Sequence, residues 1–467
     1  MLALQVISVI GISALLIYVI FKGWNPIISY VLAACLLMVF NGTNIIRGLA
    51  DTFIPGFNSM ITMFFLFFLG ASILGALYKV SGAAETVADC FYRWFVEKRQ
   101  GKNRAVAGGI VCMMTCFVCS YGGLDAFCGI FMLLPIIMML AQKSNVPRRL
   151  VPALVFGGIS SAQLGPGSPL TGNNFGSVFF ETSPTAAPVL GLIGMVVVMG
   201  CIVLYIRRSV GRAYEAGEGF EAGPYQIPSL HDKAERPPFL LAILPLIAVF
   251  ICNTVLPLAA HVQLELYLCL AIGDAVAILC FFPYLLKAIR RADREGEAAL
   301  SNGRVLLKGC RTLIDAIGSG AQDGGFAILL IASGSAFSTM MGATHGCTAI
   351  MNWATNLPLP MLLTFSIAIV ILTFLSGTPG CMIIAAPVFL PLAAQLGISN
   401  GVLMRIAVFG QCVLDTLPIN GAILIVMAQS GLSMREGYPG VFKTTVLYMF
   451  VGTVVVTALA MIAPGIW

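Results

Sequence analysis

Residues 111–135 read V-C-M-M-T-C-F-V-C-S-Y-G-G-L-D-A-F-C-G-I-F-M-L-L-P, an apolar run interrupted at its centre by Ser120-Tyr121-Gly122-Gly123. A helix that crosses a bilayer uses about 20 mostly apolar residues in sequence. A break in such a run strips backbone groups of partners, which lipid cannot replace, so it must line protein or a watery cavity. Lys79, Arg93, Lys98, Arg99, Lys102 and Arg104 precede the run, and Lys143, Arg148 and Arg149 follow it. Basic residues on both flanks put both ends on the cytoplasmic side. A segment that begins and ends on one side while breaking in the middle is a re-entrant hairpin, here spanning 104–141 with its tip near Ser120–Gly123.

The whole chain has the composition such a hairpin requires. Of 467 residues, 26 are Lys or Arg and 20 are Asp or Glu, 10% in all, against roughly 25% in soluble domains. Apolar residues make up 59% and the mean hydropathy is +0.96. A soluble enzyme, a disordered tail and a disulfide-stapled secreted domain are excluded, leaving an all-α polytopic membrane protein. The net charge of +6 sits in short loops between apolar runs, so no nucleic-acid partner is expected. Residues 1–21 lack a basic start and a small-residue cleavage site and read as a first span. Most of the 14 cysteines lie in apolar runs as packing residues; Cys112, Cys116 and Cys119 have no His or second Cys pair beside them, so no metal is expected.

Continuous spans are expected at 2–21, 25–40, 59–79, 186–206, 238–257, 264–286, 325–341 and 444–463. Besides 104–141, three more apolar stretches are broken: 150–180, 361–396 and 402–430. The basic stretches 207–237 and 287–311 read as cytoplasmic loops. Counting onward from 311, the segment 361–396 enters from outside as a second hairpin, and no Lys or Arg lies between Thr339 and Leu403. Leu375–Pro391 (L-S-G-T-P-G-C-M-I-I-A-A-P-V-F-L-P) aligns loosely with the first hairpin, and Pro135 to Arg149 is matched in spacing by Pro391 to Arg405. The expected organisation is an inverted structural repeat with two re-entrant hairpins and broken helices: residues 1–206, a cytoplasmic linker 207–237, and an inverted second repeat 238–467.

Four half-helices should then begin near the membrane centre, after Gly123, Asn174, Gly380 and Asn420. A helix N-terminus offers free N–H groups and about half a positive charge, so it holds an anion without a basic side chain. No Lys or Arg is expected inside the core spans, which leaves these termini as the positive features there. The expected substrate-binding residues are Ser120, Tyr121, Gly122 and Gly123 at the first tip, and Gly165, Pro166, Gly167, Ser168, Thr171, Asn173 and Asn174 at the first broken helix. Ser376, Gly377, Thr378, Pro379 and Gly380 at the second tip join Thr416 and Asn420 at the last break. These hydroxyls and amides suit a small hydroxylated carboxylate.

Asp125 and Asp415 stand at breaks, where a carboxylate costs about 2.5–3.5 kcal/mol unless protonated, paired or wet. Proton coupling fits both, and Asp125 fits an N-cap equally well. Asp274 falls inside an apolar span and is expected to pack against polar neighbours. His231, His261 and His345 read as linker, turn and interfacial residues.

The run Leu69–Ala88 (L-G-A-S-I-L-G-A-L-Y-K-V-S-G-A-A-E-T-V-A), F-M-L-L-P-I-I-M-M-L-A in the first hairpin and L-G-P-G-S-P around Pro166 resemble the gluconate permease family of the ion transporter superfamily. S-G-T-P-G and P-V-F-L-P-L-A extend the resemblance more faintly. It implies proton-driven uptake of gluconate or a related sugar acid, a sliding transport domain and a homodimer. Where that family carries His-Pro-Gly-Pro, this chain reads Leu164-Gly165-Pro166-Gly167, and the layout equally suits citrate or dicarboxylate carriers coupled to sodium or protons. The expected partners are a small carboxylate, a coupling cation and the lipid bilayer, with no cofactor and no enzymatic activity. An intramembrane protease is the rival from another class: H-E-x-x-H is absent, and A-I-G-D ending at Asp274 only approaches the aspartyl G-x-G-D. A third reading is the membrane subunit of an importer served by a soluble binding protein.

Overall fold

The computed structural model describes residues 2–121, 126–168, 170–221, 235–256, 264–294 and 302–463. In chain order the helices are α1 (Leu2–Phe21), α2 (Pro26–Phe40), α3 (Ile45–Val80), α4 (Ala83–Phe95), α5 (Gly101–Tyr121), α6 (Ala126–Ser144), α7 (Val151–Leu164), α8 (Thr171–Phe179) and α9 (Pro188–Glu215). They continue with α10 (Phe239–Phe250), α11 (Leu266–Arg294), α12 (Asn302–Gly342), α13 (His345–Thr355), α14 (Met361–Gln395), α15 (Asn400–Asp415), α16 (Gly421–Gln429) and α17 (Met434–Ile462). Seven of the described helices are long and apolar enough to cross a bilayer. The chain is an all-helical, multi-pass integral membrane protein.

Lipid gives helices no hydrophobic reason to associate, so they hold together by close backbone packing and internal hydrogen bonds. The longest pair, α3 and α12, runs antiparallel: Gly56 meets Ala336 and Thr339, Gly324 meets Phe68, and Gly320 meets Ile73. A Cβ at Gly320 would stand 2.8 Å from the Cα of Ile73, so this crossing exists because no side chain intervenes. Hydroxyls inside the spans bond back to their own helix, as Ser72 does to the Phe68 carbonyl (2.7 Å) and Thr373 to that of Ile369 (2.8 Å).

Both hairpins show in side-chain contacts that a straight helix forbids. In α14 only Gly377 is non-helical, at φ 72°, a left-handed value that a side chain rarely adopts. Phe365 and Phe389 nevertheless touch edge to face, with ring centroids 5.0 Å apart. Twenty-four residues of straight helix would separate them by about 36 Å. The chain therefore reverses at Gly377, and the arms Met361–Leu375 and Gly380–Gln395 lie side by side. Likewise the Cys112 thiol on α5 faces the Ile137 carbonyl on α6 at 3.9 Å. The expected tip residues Gly122 and Gly123, with Asp125, lie outside the described residues. Each hairpin also touches the half-helix of the other half of the chain. α6 packs on α16 and α14 on α8, where Phe180 meets Phe365 at 5.6 Å.

The charged loops are shorter than expected. α9 runs on to Glu215, and α12 begins at Asn302, so Arg207, Arg212, Arg304 and Lys308 are helical. These ends project as polar extensions of apolar spans, where charge does not oppose helix formation. α4 was also unforeseen: its Ala83, Ala84, Val87 and Ala88 are buried, while Glu85 and Asp89 pair with Arg236 at 2.7 and 2.9 Å, and Asp89 with Lys143. Its acidic residues join an ion network, largely buried, that ties α4 to α6 and to the approach to α10.

Candidate functional site

The first broken helix opens between α7 and α8. Gly165-Pro166-Gly167 unwinds it, Gly167 having a φ of 75° and donating its N–H to the Pro184 carbonyl at 3.0 Å. The freed carbonyls find donors: Tyr121 donates to Pro166 (2.8 Å), and Asn173 Nδ2 donates to Gln163 (2.7 Å) and Gly165 (3.3 Å). The first hairpin tip and the first break therefore meet through Tyr121. α8 starts at Thr171 rather than after Asn174, because Asn173 turns its amide back onto the break instead of ending the turn. Asn173 is buried, whereas Thr171 and Asn174 are exposed.

The second break, between α15 and α16, is stitched from outside. Asn420 caps α16, accepting from the Ala422 N–H (2.8 Å) and donating to the Asp415 carbonyl (2.7 Å). Tyr30 on α2 donates to the Ile419 carbonyl, and Tyr438 on α17 to that of Thr416 at 3.2 Å. The Thr416 hydroxyl donates to Thr445 at 2.6 Å, so this predicted binding residue is engaged in holding the break. Thr378, one residue past the turn of α14, donates to the Asp415 carboxylate at 3.4 Å. The second hairpin tip and the second break therefore meet at Asp415. The side chains of Ser376 and Pro379 lie outside the described residues; Gly377 and Gly380 are half-buried at the turn.

The two breaks are joined by an antiparallel crossing of α8 and α15. Gly176 of α8 faces Met404 and Val408 of α15, and Gly172, in the first turn of α8, faces Gln411. Met404, Val408, Gln411 and Asp415 are spaced four, three and four residues apart, one stripe of a helix. Followed along that stripe, the C-terminal end of α15, with Asp415, passes the N-terminal end of α8. A positive and a negative helix end meet there.

Two residues that the sequence reading passed over belong to this crossing. Arg405 is fully buried in α15, against the expectation of no cation inside the core spans. It donates to the carbonyls of Ala186 (2.7 Å) and Pro184 and to Asn173 Oδ1 (2.8 Å). Its spacing after Pro391 had been noted, but only the folded loop before α9 supplies its acceptors. Gln411 is 1% exposed, and among the described residues neither its Nε2 nor its Oε1 has a hydrogen-bond partner. The buried hydroxyls of Ser120 and Ser168 likewise have no partner among the described residues. Asp274, away on α11, faces Gly70 of α3, and its Oδ1 is buried without a partner, so the expected polar neighbour is not found there among the described residues.

A family model described as a citrate transporter matches residues 16–294. Over 473 aligned residues the chain is 24% identical to an uncharacterized transporter, YxjC, of Bacillus subtilis (strain 168), covering 95% of this chain and 96% of that protein. Among solved structures, the Alcanivorax borkumensis YdaH transporter, described as having an unusual topology, aligns over 94% of this chain and 97% of its own, with 14% identity and a TM-score of 0.41. Neisseria gonorrhoeae MtrF, described as illuminating a class of antimetabolite efflux pumps, aligns over 90% of this chain and 84% of its own, with 14% identity and a TM-score of 0.34.

Proposed function

The chain belongs to the citrate transporter family, within the ion transporter superfamily, and we propose that it moves a small hydroxylated organic anion by proton-coupled symport, with citrate or a dicarboxylate as the first class to test. It is a secondary transporter of small organic anions, and its bacterial relative fits a plasma-membrane location. The observation that carries the finer reading is the α8–α15 crossing, which brings an anion-favouring helix start beside a buried carboxamide and an acidic residue. The N-terminal turn of α8 holds a substrate carboxylate by its N–H groups, with Ser168 and Asn173 beside it and Tyr121 bracing the break.

Asp415 is the coupling residue in this reading. A sodium site at an unwound helix draws on free backbone carbonyls. At 415–419 the carbonyls of Asp415, Thr416 and Ile419 already accept from Asn420, Tyr438 and Tyr30. The Asp415 carboxylate, held by Thr378 alone among the described residues, is the group left to take up and release a proton. Residues 1–206 and 238–467 act as inverted repeats, each contributing one hairpin and one broken helix, with a homodimer as the working assembly. Gluconate is the second substrate class, supported by the Leu69–Ala88 resemblance.

The test is uptake of radiolabelled citrate, malate, succinate and gluconate into proteoliposomes under an imposed proton gradient, an imposed sodium gradient, or neither. Proton-driven accumulation of at least one carboxylate is expected. Accumulation driven by sodium alone moves the coupling assignment, and the lack of any gradient-dependent accumulation sinks the function.

A further inference from the structure

Gln411 is a buried carboxamide with neither of its polar atoms partnered among the described residues. It lies on the α15 stripe against Gly172, where a Cβ would collide with its Nε2 and stand 2.8 Å from Nε2 of Gln163. Burying a carboxamide with both its donor and its acceptor unpaired is costly, and nearly all such groups in folded proteins have partners. Its position points to what completes it, since the amide faces the first turn of a nine-residue half-helix. The Ser168 hydroxyl, three residues ahead of that turn, is fully buried and unpartnered as well.

The chemistry of the amide sorts the ligands. A carboxylate only accepts hydrogen bonds, so it can pair with the α8 N–H groups and with Nε2 but leaves Oε1 bare. A hydroxyl both donates and accepts, and a hydroxyl beside a carboxylate therefore satisfies both ends of Gln411.

We propose that Gln411 is a specificity-determining residue that reads a hydroxyl of the substrate and makes the carrier prefer hydroxycarboxylates to their deoxy analogues. The inference rests on the proposed carboxylate transport and names the substrate class within it. A site built to bond a hydroxyl rejects the analogue lacking it because its own polar atoms are then left unpaired.

The experiment compares two matched pairs in proteoliposomes, citrate with propane-1,2,3-tricarboxylate and malate with succinate, by kcat/KM for uptake. In the unaltered protein at least one hydroxy acid should exceed its deoxy partner by on the order of ten- to a hundredfold. Gln411→Leu should bring that ratio close to one, chiefly by lowering uptake of the hydroxy acid. Gln411→Asn keeps both polar atoms but draws them back by one methylene, and it should reduce the ratio as well. This second variant decides the matter if the leucine protein does not fold. A ratio that survives either folded variant overturns the assignment. So does an unaltered protein that transports carboxylates without discrimination, and in that case the transport function itself stands. If the unaltered protein carries none of the four acids, the assignment fails, and uptake of gluconate decides whether the function fails with it.

Discussion

At residues 416–420 the unwound backbone is held by side chains from other helices, Tyr30 of α2 and Tyr438 of α17, and beside it lies the carboxylate of Asp415, which among the described residues accepts from Thr378 alone. At residues 163–166 the backbone is held by Tyr121 and Asn173, the latter braced by Arg405, and the groups left over among the described residues are neutral: the Ser168 hydroxyl and the Gln411 amide. Both stretches solve the same problem of freed carbonyls in a bilayer. They differ in what they leave unsatisfied, an acid on one side and hydroxyl-type chemistry on the other. In the proposed function that difference divides the labour, with proton exchange assigned to the second break and anion recognition to the first.

The comparison breaks most sharply at Asp415. Replacing it by Asn should abolish or uncouple transport, seen as loss of proton-gradient-driven uptake while substrate binding persists; an unchanged proton dependence would remove the residue from the mechanism. Next in size is Arg405→Leu, which strands the Ala186 carbonyl and Asn173 Oδ1 in a buried setting and leaves the Pro184 carbonyl with the Gly167 N–H. At about 1–3 kcal/mol for each of these two orphaned acceptors, the loss of stability should exceed about 2 kcal/mol. It would appear as a lowered midpoint of thermal unfolding in detergent, and Arg405→Lys should not restore it because one ammonium lacks the planar fork that reaches all three.

A matched pair of glycines sharpens the contrast. In Gly421→Ala the new methyl meets the side chain and the Cα (3.1 Å) of Ile331, so it should cost about 1–3 kcal/mol of stability. In Gly172→Ala it meets only the ends of the Gln411 and Gln163 side chains, so unfolding should shift little while substrate affinity falls, read by titration of purified protein. Equal effects on stability would blur the distinction between the breaks.

Smaller still, Tyr30→Phe should cost about 1 kcal/mol through the lost bond to Ile419, measurable by the same unfolding assay. The smallest effect belongs far from both breaks, at Glu218, whose hydrogen bonds from Arg149 (2.5 and 2.6 Å) hold its carboxyl below the usual range. A depressed carboxylate stabilises the fold above its ordinary pKa and loses that contribution as the pH falls through its folded value. The pair is well exposed, so Glu218→Gln should change stability by at most about 1 kcal/mol at neutral pH and by less in acid.

How far the sequence could be read depended on whether a residue acts through its own segment. The breaks were legible because glycine and proline in an apolar run are local backbone facts; Gly165-Pro166-Gly167 and Gly377 unwind or turn the chain where the pattern places them. Tyr121, Thr378, Asp415 and Asn420 followed as the polar residues at those points, and the structure joins Tyr121 to Pro166 and both Thr378 and Asn420 to Asp415. The start of α8 was misplaced because an asparagine that turns onto neighbouring carbonyls looks the same in sequence as one that stops a helix. Arg405 was missed because a cation a few residues inside a span also fits an interface, and its three acceptors come from a distant loop and another helix. Gln411 gave no signal at all, being one polar residue among apolar neighbours.

Composition and charge placement by themselves determined a helical membrane protein with interrupted spans, because the bilayer penalises every unpaired backbone group and every stray charge in the same way wherever it occurs. Only the tertiary structure decided which interruption faces which. The crossing of α8 and α15 depends on Gly172 and Gly176 meeting one stripe of a helix more than two hundred residues away. Nothing local distinguishes that stripe from the other faces of α15. Packing selects it, and with it the meeting of the Asp415 end of α15 with the opening turn of α8.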